Sequence, residues 1–515
     1  MPGCRSFHVS VLLLLALLCC PALSPAAPVS SLVPLDSWVY PALDKLAGLG
    51  LIQSSLRGDR PFTRLEAARQ TREAADASAG AAPVVGEILK RLQTELADSL
   101  SVIEGEEDAG HQLKWLRQTK LSVICQGGQE SVYPRTDAHQ FALNTNNFGL
   151  RYGEGFNGQL LVQGDARLGS LLSVEYRPVI VTTPEDEAEI DLLEGRVATM
   201  LGPWEISFGR QALWWGQGSQ GTLLLTNNAQ PLDMVRITNP VPVCLPWIFE
   251  ALGPFRFDAF WSRLEKGRVV PEPYFAGMRL NLKPFPWLEV GASRTTLFGG
   301  GGRPGVDVEQ FITVLGGDNK FSHNDDSGNS LAGLDWRLKI PALAQAELYG
   351  EWAGEDQHDR WPTKNALLLG LYLPVIEPSQ RLGLRFEIAD FNYKGNGLGI
   401  GRVWYRHSVY QSGYTYEEQI LAHPVGGDGQ DYYAALDWIM NKDLRLAFSL
   451  NYEEREDSQP VSEEHYQSGL QLEWQTNPQT LLGVDLFYDR VDNVKFVNGA
   501  QENHLLLALG LTMTF

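Results

Sequence analysis

From about Lys114 to its end, this chain sets large apolar side chains at every second position, and the pattern is cleanest in residues 505–515. Leu505, Leu507, Leu509, Leu511, Met513 and Phe515 share one face of an extended strand; Leu506, Ala508, Gly510, Thr512 and Thr514 share the other. A soluble edge strand with so apolar a face invites aggregation. Two arrangements bury it. One is the last strand of a soluble sandwich. The other is a membrane barrel, where lipid covers the apolar face and closure satisfies every backbone N–H and C=O.

Similar alternation occurs at 141–143, 158–166, 170–176, 385–390 and 444–450, with Gly, Asn, Asp and Pro between the stretches. Roughly 400 residues at about 22 per strand and turn give on the order of 18 strands. The expected fold is therefore all-β, a transmembrane antiparallel barrel over residues 114–515. An even strand number places both of its ends on the periplasmic side.

Ahead of the barrel the period is helical. Val39, Leu43, Leu46 and Ala47 recur at three- and four-residue steps, with Gly48 and Gly50 as a stop. A second helix begins at Thr63, with Glu66 placed to complete a capping box. A third is expected over 84–100, with Val85, Ile88, Leu89, Leu92 and Leu96 on one stripe, and the acidic stretch 104–108 reads as a linker. Residues 28–113 thus form a small helical domain, expected to be separable from the barrel.

The first 27 residues have the layout of a secretory signal: Arg5 and His8, an apolar run over 11–18, then Pro, Ala and Ser up to Ala27. Leu18 before Cys19, and Cys19 before Cys20, are poor lipobox neighbours. The densest apolar stretch after the leader, 366–376, is too short for a spanning helix and carries Pro374. Export combined with strand periodicity places the protein in the outer membrane. A terminal strand ending on Phe also resembles the signal by which outer-membrane barrels reach their insertion machinery.

A formal net charge of −20 argues against nucleic acid as a partner. After the leader only Cys125 and Cys244 remain, either bonded to each other or present as two buried thiols. Their spacing suggests no metal site, and no cofactor is implied. GxGxxG occurs at Gly153, Gly216 and Gly300, but strand-like sequence follows the first two and Pro304 interrupts the third. A nucleotide loop needs a strand before it and a helix after it, so these glycines are assigned to turns and close backbone approach. The histidines are scattered, with neither HExxH nor a nucleophile elbow; His407 and Ser408, if adjacent on a strand, would point apart. Asp318, Asp325 and Asp326 lack EF-hand spacing and read as a solvated loop.

The segment 36–52, DSWVYPALDKLAGLGLI, followed by PFTRLEAA at 61–68, resembles a single surface-layer-homology repeat. Such repeats bind cell-wall polymers, usually as sets. A lone copy either contacts peptidoglycan or serves only as a helical plug or periplasmic foot.

The most distinctive stretch lies at 208–231, with a Trp pair, an Arg and two Asn among glycines. These residues suit stacking on a sugar and bonding its hydroxyls. On the residues alone they suit an aromatic girdle beside a turn better still. GRQxxWWGxG at 209–218 with LLLxNNAxP at 223–231 resembles the Wzi-type capsule assembly proteins of the bacterial outer membrane. Matches at 291–294, 298–304, 333–337, 349–356 and 404–414 extend the resemblance over most of the chain. It implies a monomeric outer-membrane lectin that attaches capsular or extracellular polysaccharide, without catalysis. Within the matched segments, Arg210, Trp214, Trp215, Asn227, Asn228, Arg303, Tyr405, His407, Tyr410 and Tyr414 are the expected polysaccharide contacts. Arg406 departs from the pattern, standing where Asn is expected. A porin passing small solutes has the same strand pattern and is the alternative.

Overall fold

The computed structural model describes residues 28–105, 111–185, 188–303, 320–322, 325–326, 328–358, 361–392, 404–456 and 459–515. The leader, Glu106–Asp108 of the expected linker, and Asp318 lie outside the described residues.

Among these residues eighteen antiparallel strands close into one barrel. They are β1 His111–Gly127, β2 Gly155–Leu168, β3 Leu172–Thr182, β4 Glu189–Leu201, β5 Trp204–Gln211 and β6 Leu232–Thr238, the last resumed by Val243–Cys244. Next come β7 Pro254–Arg263, β8 Tyr274–Phe285, β9 Leu288–Phe298, β10 Gly328–Ile340, β11 Ala346–His358 and β12 Trp361–Leu373. The set ends with β13 Leu382–Asp390, β14 Gly429–Asn441, β15 Leu444–Arg455, β16 Glu463–Asn477, β17 Thr480–Asp492 and β18 Gln501–Thr514. β18 closes the wall on β1 in a register from Thr514↔Gln118 to Leu505↔Gly127. The barrel therefore begins at His111, slightly ahead of the expected boundary. The 141–143 stretch is not a wall strand: His139–Phe141 pairs with Glu130–Val132 in a hairpin of its own.

The wall is apolar outside and polar inside, the inverse of a soluble core. Leu505, Leu509, Met513 and Phe515 are exposed on the outer face, as the alternation requires, while inward-pointing Arg236, Arg256 and Arg279 are fully buried. Aromatic girdles are built from Tyr432, Tyr452 and Tyr466, whose rings lie 6.0 and 5.1 Å apart, and from Trp438 and Trp474 toward the other end of the same strands. Turns such as 441–444 and 477–480 are short, whereas the connections 127–155, 211–232, 298–328 and 390–429 at the opposite end are long. Short turns mark the periplasmic end and long loops the outer end. Cys125 and Cys244 are both free, the first half-buried and the second exposed, so neither expected arrangement is present.

The helices are α1 Val39–Gly48, α2 Arg64–Asp76, α3 Pro83–Glu95 and α4 Ala97–Glu104. Thr63 caps α2 by accepting from Glu66 N at 3.2 Å. Glu66 does not return the bond across a capping box; its carboxylate takes Arg69 and Gln70 at 2.7 and 2.8 Å. The single helix expected over 84–100 breaks at Leu96 (φ −105, ψ 14), because Arg64 takes the Glu95 carbonyl and carboxylate. The predicted stripe of α3 packs on Val39, Leu43 and Leu46 of α1 to form one apolar cluster, which Ile439 of β14 joins.

This region is a plug engaged with the wall and not a separate foot. Asp59 and Arg60 pair as a two-residue strand with Trp215 and Trp214 of the 211–232 connection. Arg57 Nη2 donates to Glu347 at 2.6 Å, and Arg177 meets Asp36 at 2.7 Å. At the short-turn end Lys45 Nζ donates to the Pro374 and Leu382 carbonyls at 2.5 and 3.0 Å. Of the two readings of the repeat-like segment, this packing is that of the helical plug.

Candidate functional site: the cap over the barrel

The 211–232 connection dips into the lumen, and two wall carboxylates hold it there. Glu351 of β11 accepts from the backbone N–H groups of Gln217, Gly218 and Leu223 at 2.7, 2.9 and 2.9 Å. Glu387 of β13 accepts from Ser219 and Gln220 at 2.7 and 2.9 Å. A loop buried this deeply would otherwise leave N–H groups without partners, each costing about 1–3 kcal/mol. Gly216 lies at φ +141, and a Cβ there would stand 2.4 Å from Glu351 Oε1. The second GxGxxG match is thus a backbone cradle for an anion, but the anion is the protein's own Glu351.

Around this loop the other long connections interlock. Tyr405 Oη donates to Leu223 O at 3.0 Å; Tyr414 Oη donates to Leu224 O at 2.9 Å and accepts from Thr295 Oγ1 at 2.8 Å. The two rings stack at 5.5 Å with 16° between planes. Tyr410 Oη donates to Gly299 O at 3.2 Å. Asn227 Nδ2 donates to Asn146 O at 2.8 Å, and Asn228 bridges Gln140, Asn146 and Ile420. Trp215 is 1% exposed and packs its ring 5.3 Å from that of Phe260. Trp214 is buried but borders a cavity of about 200 Å³ with Asp36, Asp44, Arg60 and Asn227.

The structure therefore brings Trp214, Trp215, Asn227, Asn228, Tyr405 and Tyr414 into the interior of one cap. Tyr410, equally buried, joins the cap through Gly299, whereas Arg210, Arg303 and His407 lie apart from that group. Arg210 shares the outer wall face with Phe208, which is 69% exposed, and pairs with Asp191 and Asp233 at 3.1 Å each. Arg303 and His407 are half-buried in the loops, and His407 Nδ1 accepts from Val409 and Tyr410 N at 3.2 and 3.3 Å. His407 and Ser408 belong to a loop, not to the strand assumed for them. The Trp pair is in neither girdle. Arg406, the departure from the family pattern, is buried against Glu456 and Asp428.

Burial governs the protonation of the cap and plug. It pushes the Tyr405 and Tyr414 hydroxyls well above their usual range, so both act as neutral donors. Burial, reinforced by Arg455, lowers His423 to about 3, leaving a neutral ring beside Tyr405 and Asp431. In the plug, burial opposes the charge of Asp44, but Arg60 and Arg57 outweigh it and hold the carboxyl down at about 2. Glu351 and Glu387 were missed from sequence; their only signal is a carboxylate at an inward strand position, which a water-lined channel shares. Among the described residues no group of His, Cys, Asp or Glu is arranged to hold a metal ion.

The family model for the capsule assembly protein Wzi matches residues 127–505. An uncharacterized 55.8 kDa protein in the cps region of Klebsiella pneumoniae is 33% identical over 171 residues, which are 32% of this chain. That match spans only 33% of the relative's length. A solved structure of Wzi, an outer membrane protein involved in group 1 capsule assembly in Escherichia coli and named as a carbohydrate-binding β-barrel, superposes with a TM-score of 0.71 at 20% identity. The superposition covers 94% of this chain and 100% of that one, and at this identity it establishes the fold.

Proposed function

The chain belongs to the family of the capsule assembly protein Wzi, and from that premise we propose that it is an outer-membrane lectin holding capsular or extracellular polysaccharide at the cell surface through its cap. The observation that carries this reading is the cap itself. Three long connections are locked into one surface by Tyr405, Tyr414, Asn227 and Asn228, above a lumen that the plug enters from the other end. A solute pore needs an open lumen, whereas a polymer anchor needs a rigid outward surface, so the porin alternative is the weaker one. The reading needs binding alone; no bond is made or broken. One chain suffices, because the barrel closes on itself.

Within the cap the roles divide by burial. Trp215, Asn227, Asn228, Tyr405, Tyr410 and Tyr414 are positioning residues that set the loops, and Trp214 faces inward. Arg303 and His407, half-open in the outer loops, are the polymer contacts. We assign no peptidoglycan contact to Trp38 and Tyr40 of the repeat-like segment, because Trp38 stacks under Arg91 at 3.8 Å and Tyr40 donates to Val33 O at 2.7 Å.

The test is the ratio of cell-bound to shed polysaccharide, normalised to folded barrel at the surface. Cells lacking the protein are expected to shed polymer, and an Arg303→Ala/His407→Ala strain to shed a substantial part of it. Unchanged retention without the protein would sink the function. Unchanged retention in the double variant alone would sink only the assignment of these contacts.

A further inference from the structure

The plug does not fill the barrel. It leaves a chamber of about 700 Å³ along the inner wall of β13 to β18 and β1 to β2, reaching from Leu481 and Thr514 at the short-turn end to Asn144 and Gln220 beneath the cap. That size lies in the range of ligand cavities. The wall is made for hydrogen bonding: Ser449, Gln467, Gln471, Thr512 and Thr514 keep part of their surface open. Gly483 faces Gly510 across the β17–β18 ladder, and a Cβ at Gly483 would meet nothing within 4 Å. The strip between the amides is therefore smooth and unobstructed.

The charges around the chamber are equal in number, seven of each sign once Asp165 is counted, but they are not all ion-paired. Asp36 holds Arg177, Asp44 holds Arg60 and Glu95 holds Arg64. Asp437 and Glu473 both hold Arg445, and Arg117 is held by Asp165. Asp485 accepts from Gln471 at 3.0 Å. Lys120 and Arg385 are left over. Among the described residues no carboxylate lies within the 4.0 Å ion-pair distance of either, and Arg385 instead lies over the Tyr372 ring at 4.5 Å and donates to Tyr349 Oη at 3.1 Å. Two half-buried cations outside direct ion pairs, Lys120 facing Asp36 and Asp485 and Arg385 facing Asp44 and Glu387 only at longer range, stand in a wall of amides and hydroxyls and complement a chain of hydroxyls bearing carboxylates.

We infer that the lumen chamber is a second glycan site, separate from the cap, which binds a short acidic oligosaccharide with its carboxylates at Lys120 and Arg385. The site lies inside the barrel and does not depend on the outer loops touching polymer.

The experiment titrates the full chain in detergent with tetragalacturonate and, in parallel, with neutral maltotetraose, following binding by calorimetry. The acidic sugar is expected to bind, and the neutral one to bind about tenfold more weakly or worse. Lys120→Gln/Arg385→Gln is expected to remove that difference. Gly483→Trp projects a ring into the chamber and is expected to abolish binding, with heat-modifiable migration showing that the barrel remains folded. If that variant does not fold, Gly510→Leu on the facing strand tests the same obstruction. Undiminished binding in a folded obstructed variant would place the sugar outside the lumen and overturn the inference. So would no binding by the natural chain, or equal binding of the two sugars. None of these results touches retention by the cap, which is read on intact cells.

Discussion

Trp215 shows how a residue type chosen for sugar chemistry comes to serve packing. Its ring is enclosed by Phe260 and by a loop cluster that includes Leu223 and Leu225, and its backbone N–H donates to Leu225 O at 3.0 Å. Removing a fully buried large ring costs about 3–5 kcal/mol. Trp215→Ala is therefore expected to lower the unfolding temperature and surface abundance, while retention per folded barrel stays unchanged. Selective release of polymer at equal abundance would return the ring to the contact surface. His423 makes a pH prediction of definite sign. Its folded pKa of about 3 lies below the 6.5 of a free imidazole, so the unfolded chain binds the extra proton between those values. Stability from this residue is complete above about 6.5 and is lost as pH falls toward 3. The groups facing it are Tyr405, Asp431 and Arg455. Proteolysis of the 404–428 loop is expected to accelerate between pH 7 and pH 5, and His423→Gln to flatten that dependence. A profile identical in the variant would remove the histidine from the account.

At the scale of elements, the plug and the 211–232 loop depend on each other more than the wall depends on either. Each wall strand hydrogen-bonds to both neighbours around the closed ring, so the ladder needs no helix to complete it. The two-residue strand at Asp59 and Arg60, by contrast, has Trp214 and Trp215 as its partners, and Gly216 N donates to Gly58 O at 2.9 Å. Deleting residues 28–105 exposes Glu289, Glu347 and Glu175 to incoming water, which repays part of the cost of their lost partners. The truncated barrel is expected to insert and to remain heat-modifiable, while its 211–232 loop becomes sensitive to protease. Failure to insert would show that the helices belong to the folding of the wall itself.

For the molecule as a whole, the consequence is closure. Plug and dipping loop meet in mid-lumen, and Glu351 and Glu387 anchor the loop through five backbone N–H groups. In planar bilayers the full chain is expected to carry no steady ion current. Glu351→Ala/Glu387→Ala, which frees those donors, is expected to produce intermittent openings, and the 28–105 deletion sustained ones. A steady current through the natural chain would revive the porin alternative.

What the sequence determined by itself is whatever repeats at short range. Alternation at a period of two specified the wall, its lipid face and its strand number, since a strand's faces follow from backbone geometry alone. The three-and-four spacing and Thr63 specified the helices for the same reason, and linked motifs identified the family. Tertiary structure decided where those pieces sit. Leu96 was to lie inside a helix until Arg64 claimed the Glu95 carbonyl. Trp214 and Trp215 carried the same letters for a girdle, a sugar platform or a plug contact, and their pairing with Asp59 and Arg60, about 155 residues away in the chain, chose the third. Glu351 reads as channel lining until a loop N–H is found on each of its oxygens. In an inside-out barrel the interior is polar, so burial leaves no hydrophobic mark on the sequence. Which inward residues meet a plug, a loop or open space is settled only by contacts between segments far apart in the chain.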